Sequence, residues 1–436
     1  MKRVAFCTFG CRLNQYDTET IRTLLEHEGS FRTVSMRDEA DVYVVNTCSV
    51  TARADASARK MIRRLNNQNP EASIVVTGCY AQRAPQELAE LPGVNLVVGA
   101  ADRSSIASQI KRTDNGSLVV AVSPIESATK FLEVPVTEMM ERSRAYVKVQ
   151  EGCNEQCTFC IVPQTRGASR SREPQKVLEQ VAELVESGYP EIVLTGVHIG
   201  DYGLDLPQAT HLLTRLIDDI LANPGVQRLR LSSIEPSTLT DDILDQMASE
   251  PRFARHLHIP FQSGSNNVLS RMKRRYSVED FEGLVERIQK RFDDIGFGTD
   301  VICGFPGEST EDFEKTFDCL ARWPITYLHP FTYSVRPGSE AERFGDQVPG
   351  DEKKRRTRAL KRLSTEASQR FRQRYLGKRV EVLVEASERN GATHLTGLTD
   401  TYVRVDLEGD ASGQTLAQVR IDDLTKDGLR GRVVNG

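Results

Sequence analysis

The sequence predicts an α/β chain in three parts: an N-terminal parallel α/β domain, a central partial (βα)6 barrel and a small C-terminal β-barrel. Three observations carry this. Strand-like apolar runs alternate with helical stripes through the first 100 residues, and do so again beyond residue 144, as parallel βα units require. A basic amphipathic stretch follows, and after Gly377 the pattern turns to short strands with glycines between them. The length of 436 residues also exceeds what one core usually organises.

In the first part, Val4 to Phe9, Asp41 to Asn46, Ser73 to Thr77 and Val94 to Val98 read as strands joined by crossover helices. The helix after the first run carries Ile21, Leu24 and Leu25 on one side, and the next ends near the Asn69-Pro70 break. From about Asp102 to Arg144 the pattern weakens, with Asp114-Asn115-Gly116 as a turn signal. This sets a first domain over residues 1–125 and a second over 140–350.

The second contains six apolar runs, Ala145 to Val149, Ile192 to Thr195, Arg228 to Leu231, His256 to Ile259, Gly298 to Ile302 and Thr326 to Phe331. Among the helices between them, Pro174 suits a first helical position, Val177, Leu178, Val181, Leu184 and Val185 form a stripe, and Gly188 suits the end. Ser309 with Asp312 forms another helix start. Six units are too few to close an eight-fold barrel, yet right-handed crossovers curl them into an open one, with function collecting at the strand C-termini.

Asp351 to Arg379 holds twelve Lys or Arg against three acids, with Leu360, Leu363, Ala367 and Phe371 at helical spacing, so residues 351–375 are expected to form a basic connecting helix. Runs such as Val380 to Val384 and Tyr402 to Asp406 then make residues 376–436 a small β-barrel.

Composition excludes some classes of function. Hydrophobic residues make up 39% and charged residues 27%, which fits packed cores and not a disordered chain. No apolar run approaches the roughly 18 residues of a membrane span, and the Met1-Lys2-Arg3 start leads into only a short apolar stretch, so neither a membrane partner nor a secretion signal is expected. The net charge is −4, so any nucleic-acid contact must rest on local patches. Nine cysteines without a signal fit a reducing, cytoplasmic setting. No H-E-x-x-H, Ser-His-Asp, P-loop or dinucleotide arrangement is present, which leaves hydrolase and nucleotide-triphosphatase readings unsupported.

The cysteines carry the chemistry. Cys153, Cys157 and Cys160 stand in the stretch Glu151-Gly152-Cys153-Asn154-Glu155-Gln156-Cys157-Thr158-Phe159-Cys160, directly after the first barrel strand. Three thiolates can hold three irons of a cubane 4Fe-4S cluster and leave the fourth open to a substrate or cofactor. The alternative is a zinc site completed by His198, His256 or His258. Cys11, Cys48 and Cys79 each end a strand, and in a parallel sheet all strand C-termini share one edge, so they can meet as a second trio. Cys7, Cys303 and Cys319 read as packing cysteines.

These motifs resemble the radical S-adenosylmethionine methylthiotransferases over essentially the whole chain. Leu194 to Gly203 and His256 to Ser265 look closest to the branch that acts on N6-threonylcarbamoyladenosine in tRNA. The resemblance implies a methylthiotransferase domain, a radical S-adenosylmethionine domain and a TRAM-like barrel. It implies two 4Fe-4S clusters, at Cys11, Cys48 and Cys79 and at Cys153, Cys157 and Cys160, with S-adenosylmethionine as cofactor. The reaction implied replaces the C2 hydrogen of the adenine at tRNA position 37 by a methylthio group. That hydrogen is not acidic, so a radical cofactor is needed. The substrate implied is a tRNA anticodon stem-loop, and an electron donor and a sulfur donor are required that the residues do not specify.

The resemblance further points to Gly196, Ser233, Glu235, Gln262 and Gly304, after strand ends, as cofactor contacts. The plain readings beside it are turn glycines at Gly196 and Gly304, a helix cap at Ser233, and loop orientation by Glu235 and Gln262. For RNA, the basic patches are Arg59, Lys60, Arg63 and Arg64; Arg166, Arg170 and Arg172; Arg271, Lys273, Arg274 and Arg275; and the 353–379 helix. Arg166, Arg170 and Arg172 are preferred because they follow the cluster loop. The competing functions are the same chemistry on isopentenyladenosine tRNA or on a ribosomal protein side chain, and a non-catalytic iron-sulfur or zinc RNA-binding protein.

Overall fold

The computed structural model describes residues 1–113, 116–140, 143–207, 212–389, 392–409, 411 and 415–434. Asp114 and Asn115 of the expected turn lie outside the described residues.

The N-terminal part is a six-stranded sheet in the order Phe31–Thr33, Lys2–Thr8, Val42–Thr47, Ser73–Gly78, Val94–Val98, Val119–Ala121, and every pairing is parallel. Alternate residues feed two separate cores: Ala5, Tyr43, Val45, Ile74 and Val76 on one face, Val4, Phe6, Val42, Val44 and Val75 on the other. Burial on both faces is why these strands read as continuous apolar runs. The sequence reading missed the edge strands Phe31–Thr33 and Val119–Ala121, which at three residues each are too short to show a period. The helices Arg12–His27 and Ala52–Gln68 cross over as expected, the second capped at Asn69.

Six strands of the central part fall into two parallel groups, beside the two-residue antiparallel pair Gln150–Glu151 and Arg170–Ser171. Arg144–Lys148, Glu191–Thr195 and Arg228–Leu231 form one; His256–His258, Gly296–Cys303 and Tyr327–Thr332 form the other. A bridge between Leu229 and Phe253 and a bond from Ile234 N to His258 O at 3.0 Å join them into an open, curled sheet. Pro174 opens the helix Pro174–Glu186, with Val177, Val181 and Leu184 buried. Ser309 and Asp312 form a full capping box on Thr310–Arg322.

The basic helix runs Gly350–Gln373, buries Leu360, Leu363, Ala367 and Phe371, and ends ahead of Gly377, whose φ is +76°. Five strands, Arg379–Arg389, Ala392–Thr399, Arg404–Glu408, Leu416–Leu424 and Leu429–Val433, close into a barrel around Val382, Val405, Val419, Ile421 and Leu429.

That barrel reaches into the open one. Tyr402, at φ +68°, stacks on His256 with ring centroids 4.5 Å apart, and its phenol oxygen accepts a hydrogen bond from Arg12 Nη2 at 2.9 Å. Arg144 and Arg230 flank the same ring. Gly296 permits the approach, since a Cβ there would lie 2.1 Å from Thr401 O. Arg12 follows Cys11, so a side chain from the N-terminal part meets one from the C-terminal barrel.

Candidate metal centres

The N-terminal strand order reverses between Lys2–Thr8 and Val42–Thr47, and such a switch point opens a crevice at the strand C-termini. Cys11 and Cys48 stand there, with Cys79 after the neighbouring strand Ser73–Gly78. Two glycines bring the loops together. Gly10 has φ +110°, and a Cβ on it would lie 2.7 Å from Cys48 Cβ; Gly78 has φ +94°, and its Cβ would lie 2.3 Å from Thr47 O. Only glycine tolerates both the conformation and the crowding. Asn14 locks the loops by donating to Phe9 O at 2.7 Å and Thr47 O at 3.1 Å.

The second trio sits on a loop that leaves the first strand of the open barrel through Gly152, at φ +76° with its missing Cβ 1.9 Å from Ala168 O. Backbone N–H groups of Glu155 and Val162 point at the Cys153 and Cys160 sulfurs, each at 3.4 Å. Arg274 Nη1 donates to Cys157 Sγ at 3.1 Å and is itself paired to Glu235. A cavity of about 880 Å³ lies against Cys153, Cys157 and Cys160 and extends to Arg170, Ser339 and Arg343. A second, of about 180 Å³, is shared by Val50 and Thr51 beside Cys48, by Cys160, and by Gln262, Asp300 and Arg336. The two cysteine loops therefore border one space.

All nine cysteines are free. Burial pushes the thiols of Cys48, Cys153 and Cys160 up to about 12, and raises Cys157 as well. Buried thiols of this kind become ligands only where a metal supplies compensating charge. Among the described residues, the one set of three ligand atoms all within 4.8 Å of each other is His258, Asp300 and His329, not either cysteine trio. A single zinc needs thiolate edges of ~3.8 Å, from Zn–S bonds of ~2.3 Å, whereas a cubane spreads its thiolates over three irons. The histidines weighed for a zinc site are engaged elsewhere: His198 lies beside Asp201, and His256 and His258 bond Tyr327.

The His258, Asp300 and His329 set is a hydrogen-bonded chain. His256 Nδ1 is buried with no partner, and a lone pair there costs less than an unpaired N–H. Its Nε2–H then donates to Tyr327 Oη at 2.8 Å, Tyr327 donates to His258 Nδ1 at 3.1 Å, and His258 Nε2–H donates to Asp300 Oδ1 at 2.9 Å. His329 Nδ1 reaches the same oxygen at 3.2 Å.

The structure corrects the RNA assignment. Arg166, Arg170 and Arg172 are only 4%, 7% and 3% exposed. Arg166 bonds Glu151, Asn14 and Asp17, Arg170 bonds Ala168 O and Arg166 O, and Arg172 pairs with Glu133 and Gln180. Arg166 and Arg172 are enclosed by these partners, and Arg170, although it borders the larger cavity, spends Nη1 and Nη2 on backbone carbonyls. The sequence reading also missed Asn14, Asp17, Arg103 and Lys148, polar side chains that carry no sign of burial along the chain. A signal for the loops was present: Gly10-Cys11, Gly78-Cys79 and Gly152-Cys153 each place a positive-φ glycine before a trio cysteine.

Among the expected cofactor contacts, Gln262 is buried at φ +64° and lines the smaller cavity. Glu235 precedes the short turn Pro236–Thr238 and holds Arg274. Ser233 is exposed, and the cap of that turn is Glu235. Gly196 packs against Gln150, and Gly304 turns at φ +74° with its N–H on Glu308 Oε1 at 3.0 Å. Cys303 and Cys319 are buried; Cys7 is half-buried, and burial pushes its thiol up to about 11.

Residues 3–99 match the Uncharacterized protein family UPF0004, and residues 147–320 match the Radical SAM superfamily. The threonylcarbamoyladenosine tRNA methylthiotransferase MtaB of Bacillus subtilis is 40% identical over 94% of this chain and 91% of its own length. A tRNA-2-methylthio-N(6)-dimethylallyladenosine synthase of Clostridium botulinum strain Okra is 33% identical over 98% of this chain and 96% of its own. The solved radical S-adenosylmethionine methyltransferase TsrM of Kitasatospora setae has a similar fold, with a TM-score of 0.57 at 19% identity over 76% of this chain and 75% of that one. Among the described residues, no helix is long and apolar enough to cross a membrane. With the double cysteine trio and full-length similarity together, the chain belongs to the threonylcarbamoyladenosine tRNA methylthiotransferases, a family of radical S-adenosylmethionine enzymes.

Proposed function

We propose that this protein inserts a methylthio group at C2 of N6-threonylcarbamoyladenosine at position 37 of tRNA, in the cytoplasm, with two 4Fe-4S clusters and S-adenosylmethionine. The observation that carries the reading is the approach of the loops that bear the two trios. Cys79 Sγ lies 3.4 Å from Arg166 Nε, on the helix that follows Cys160, and the loops after Cys48 and around Cys160 wall the same cavity. When bound, the clusters supply electrons to cleave S-adenosylmethionine at the second trio and a carrier for sulfur at the first.

The chain's own residues do the rest. Cys11, Cys48 and Cys79 ligate one cluster, and Cys153, Cys157 and Cys160 the other. Gln262 at the cavity wall, with Ser233, Glu235, Gly196 and Gly304 at the strand ends, orients S-adenosylmethionine. Exposed Lys354, Arg358, Lys361 and Arg362 on Gly350–Gln373 contact phosphates, which position the substrate without reading sequence. Apolar walls, buried at Ile161 and half-buried at Phe159 and Ile302, exclude water from a reactive radical.

The test is anaerobic turnover of the reconstituted protein on an anticodon stem-loop bearing threonylcarbamoyladenosine, read by nucleoside mass spectrometry. The 2-methylthio product is expected. Conversion only of a dimethylallyladenosine stem-loop would move the protein to the sister branch, and failure to release 5′-deoxyadenosine would overturn the enzymatic reading.

A further inference from the structure

Arg166 ends the short helix Val162–Arg166 behind Cys160, and all three of its nitrogens are engaged. Nε donates to Cys79 Sγ at 3.4 Å, Nη1 to Glu151 Oε1 at 2.7 Å, and Nη2 to Asn14 Oδ1 at 2.6 Å and Asp17 Oδ2 at 2.9 Å. Glu151 stands two residues before Cys153. Asn14 and Asp17 lie on the helix that starts behind Cys11, and Asn14 also holds the backbone ahead of Cys11 and of Cys48. A single guanidinium thus touches the loops of both trios.

Its charge balance points the same way. Lys148 Nζ bonds Asp17 at 2.7 Å and Glu151 at 2.9 Å, and Arg103 pairs with the same two carboxylates. Three cations, Arg103, Lys148 and Arg166, share two carboxylates, all of them buried. An uncompensated buried charge costs several kcal/mol, so this network is one anion short. The sulfur under Arg166 Nε is the place where that anion completes it. The second trio has a simpler counterpart: Arg274 donates to Cys157 and is anchored by Glu235, away from the first trio.

We propose that Arg166 is a positioning residue for both clusters: it donates to the Cys79 sulfur, raising the electron affinity of the N-terminal cluster, and through Glu151 it fixes that cluster beside the Cys153–Cys160 loop. Hydrogen bonds to ligand sulfur and local net charge are what set a cluster's potential. The inference rests on the reading that Cys11, Cys48 and Cys79 hold a 4Fe-4S cluster.

The test uses the full chain carrying Cys153→Ala, Cys157→Ala and Cys160→Ala, so that the N-terminal cluster is observed by itself, with a redox titration followed by electron paramagnetic resonance. Arg166→Gln should lower the reduced-to-oxidised ratio at fixed potential about tenfold, a shift of about 59 mV for one electron. Arg166→Lys keeps the buried charge, is the variant expected to fold, and should give a smaller shift of the same sign. In the complementary chain with Cys11→Ala, Cys48→Ala and Cys79→Ala, Arg166→Gln should leave the remaining cluster's ratio within about twofold. A merely structural role would lower iron content without moving the midpoint of the cluster that remains. A midpoint unmoved in Arg166→Lys and Arg166→Gln overturns this inference alone; no cluster in the parent chain overturns both it and the reading of the trio.

Discussion

Cys153, Cys157 and Cys160 come from one loop, spaced by the chain itself, whereas Cys11, Cys48 and Cys79 come from three loops at the ends of three adjacent parallel strands. In the first arrangement two backbone N–H groups of the loop point at Cys153 and Cys160, and, among the described residues, Arg274 alone reaches in from outside it, to Cys157. The second needs the sheet order, two positive-φ glycines and the Asn14 carboxamide before its thiols can meet. A trio built by topology is therefore exposed to faults anywhere in the sheet, while a trio built by a loop is exposed mainly to faults in that loop.

The largest test of this contrast separates the two trios chemically. Cys157→Ala is expected to reduce 5′-deoxyadenosine release at least about 100-fold, an electron-transfer ligand having been removed. Cys48→Ala should leave release within a few-fold of the parent and abolish the methylthio product. Chromatography of the nucleoside products measures both, and loss of cleavage in Cys48→Ala would break the division of labour.

Glycine substitutions come next. Gly78→Ala forces a Cβ to 2.3 Å from Thr47 O at φ +94°, and strain of that kind costs on the order of 1–3 kcal/mol. Denaturant unfolding should show the loss, with iron missing from the first trio and retained by the second. Gly152→Ala, with Ala168 O at 1.9 Å, should reverse that pattern, so equal iron loss in both variants would argue against independent assembly.

Tyr402→Phe sharpens the comparison from a distance. It removes the part-buried 2.9 Å bond to Arg12, the residue after Cys11, and a hydrogen bond to a charged group contributes roughly 1.5–3 kcal/mol. Thermal unfolding should shift downward while the second trio keeps its iron.

The smallest effect concerns pH. Burial, then the neighbouring Arg230 and Arg12, hold His256 well below the ordinary histidine value. The unfolded chain takes up a proton below about pH 6.5 that the folded chain refuses, so stability falls as pH drops through that range, by at most about 1.4 kcal/mol per unit. Thermal melts from about pH 7.5 to about pH 5.5 should show this slope, and His256→Gln should flatten it.

The βα alternation and the terminal barrel were readable because burial on a sheet face or helix stripe leaves a periodic trace. Strands of three residues, Phe31–Thr33 and Val119–Ala121, leave none. Arg166, Arg170 and Arg172 misled for a related reason: three closely spaced arginines look like a solvated basic patch until Glu151, Asp17, Gln180 and Glu133 close over them from elsewhere in the chain. Arg274 was read as part of an RNA patch, and no local spacing tells that it faces Cys157.

The order of residues determined which atoms could serve as ligands, where each strand would end, and which glycines could turn the chain just before a cysteine. Tertiary structure decided which of those atoms share a cavity, which arginines become buried counter-charges, and that Tyr402 meets Arg12 across the open barrel. The division is physical: ligand type and backbone freedom belong to single residues, whereas burial and charge compensation exist only once distant segments have excluded water together.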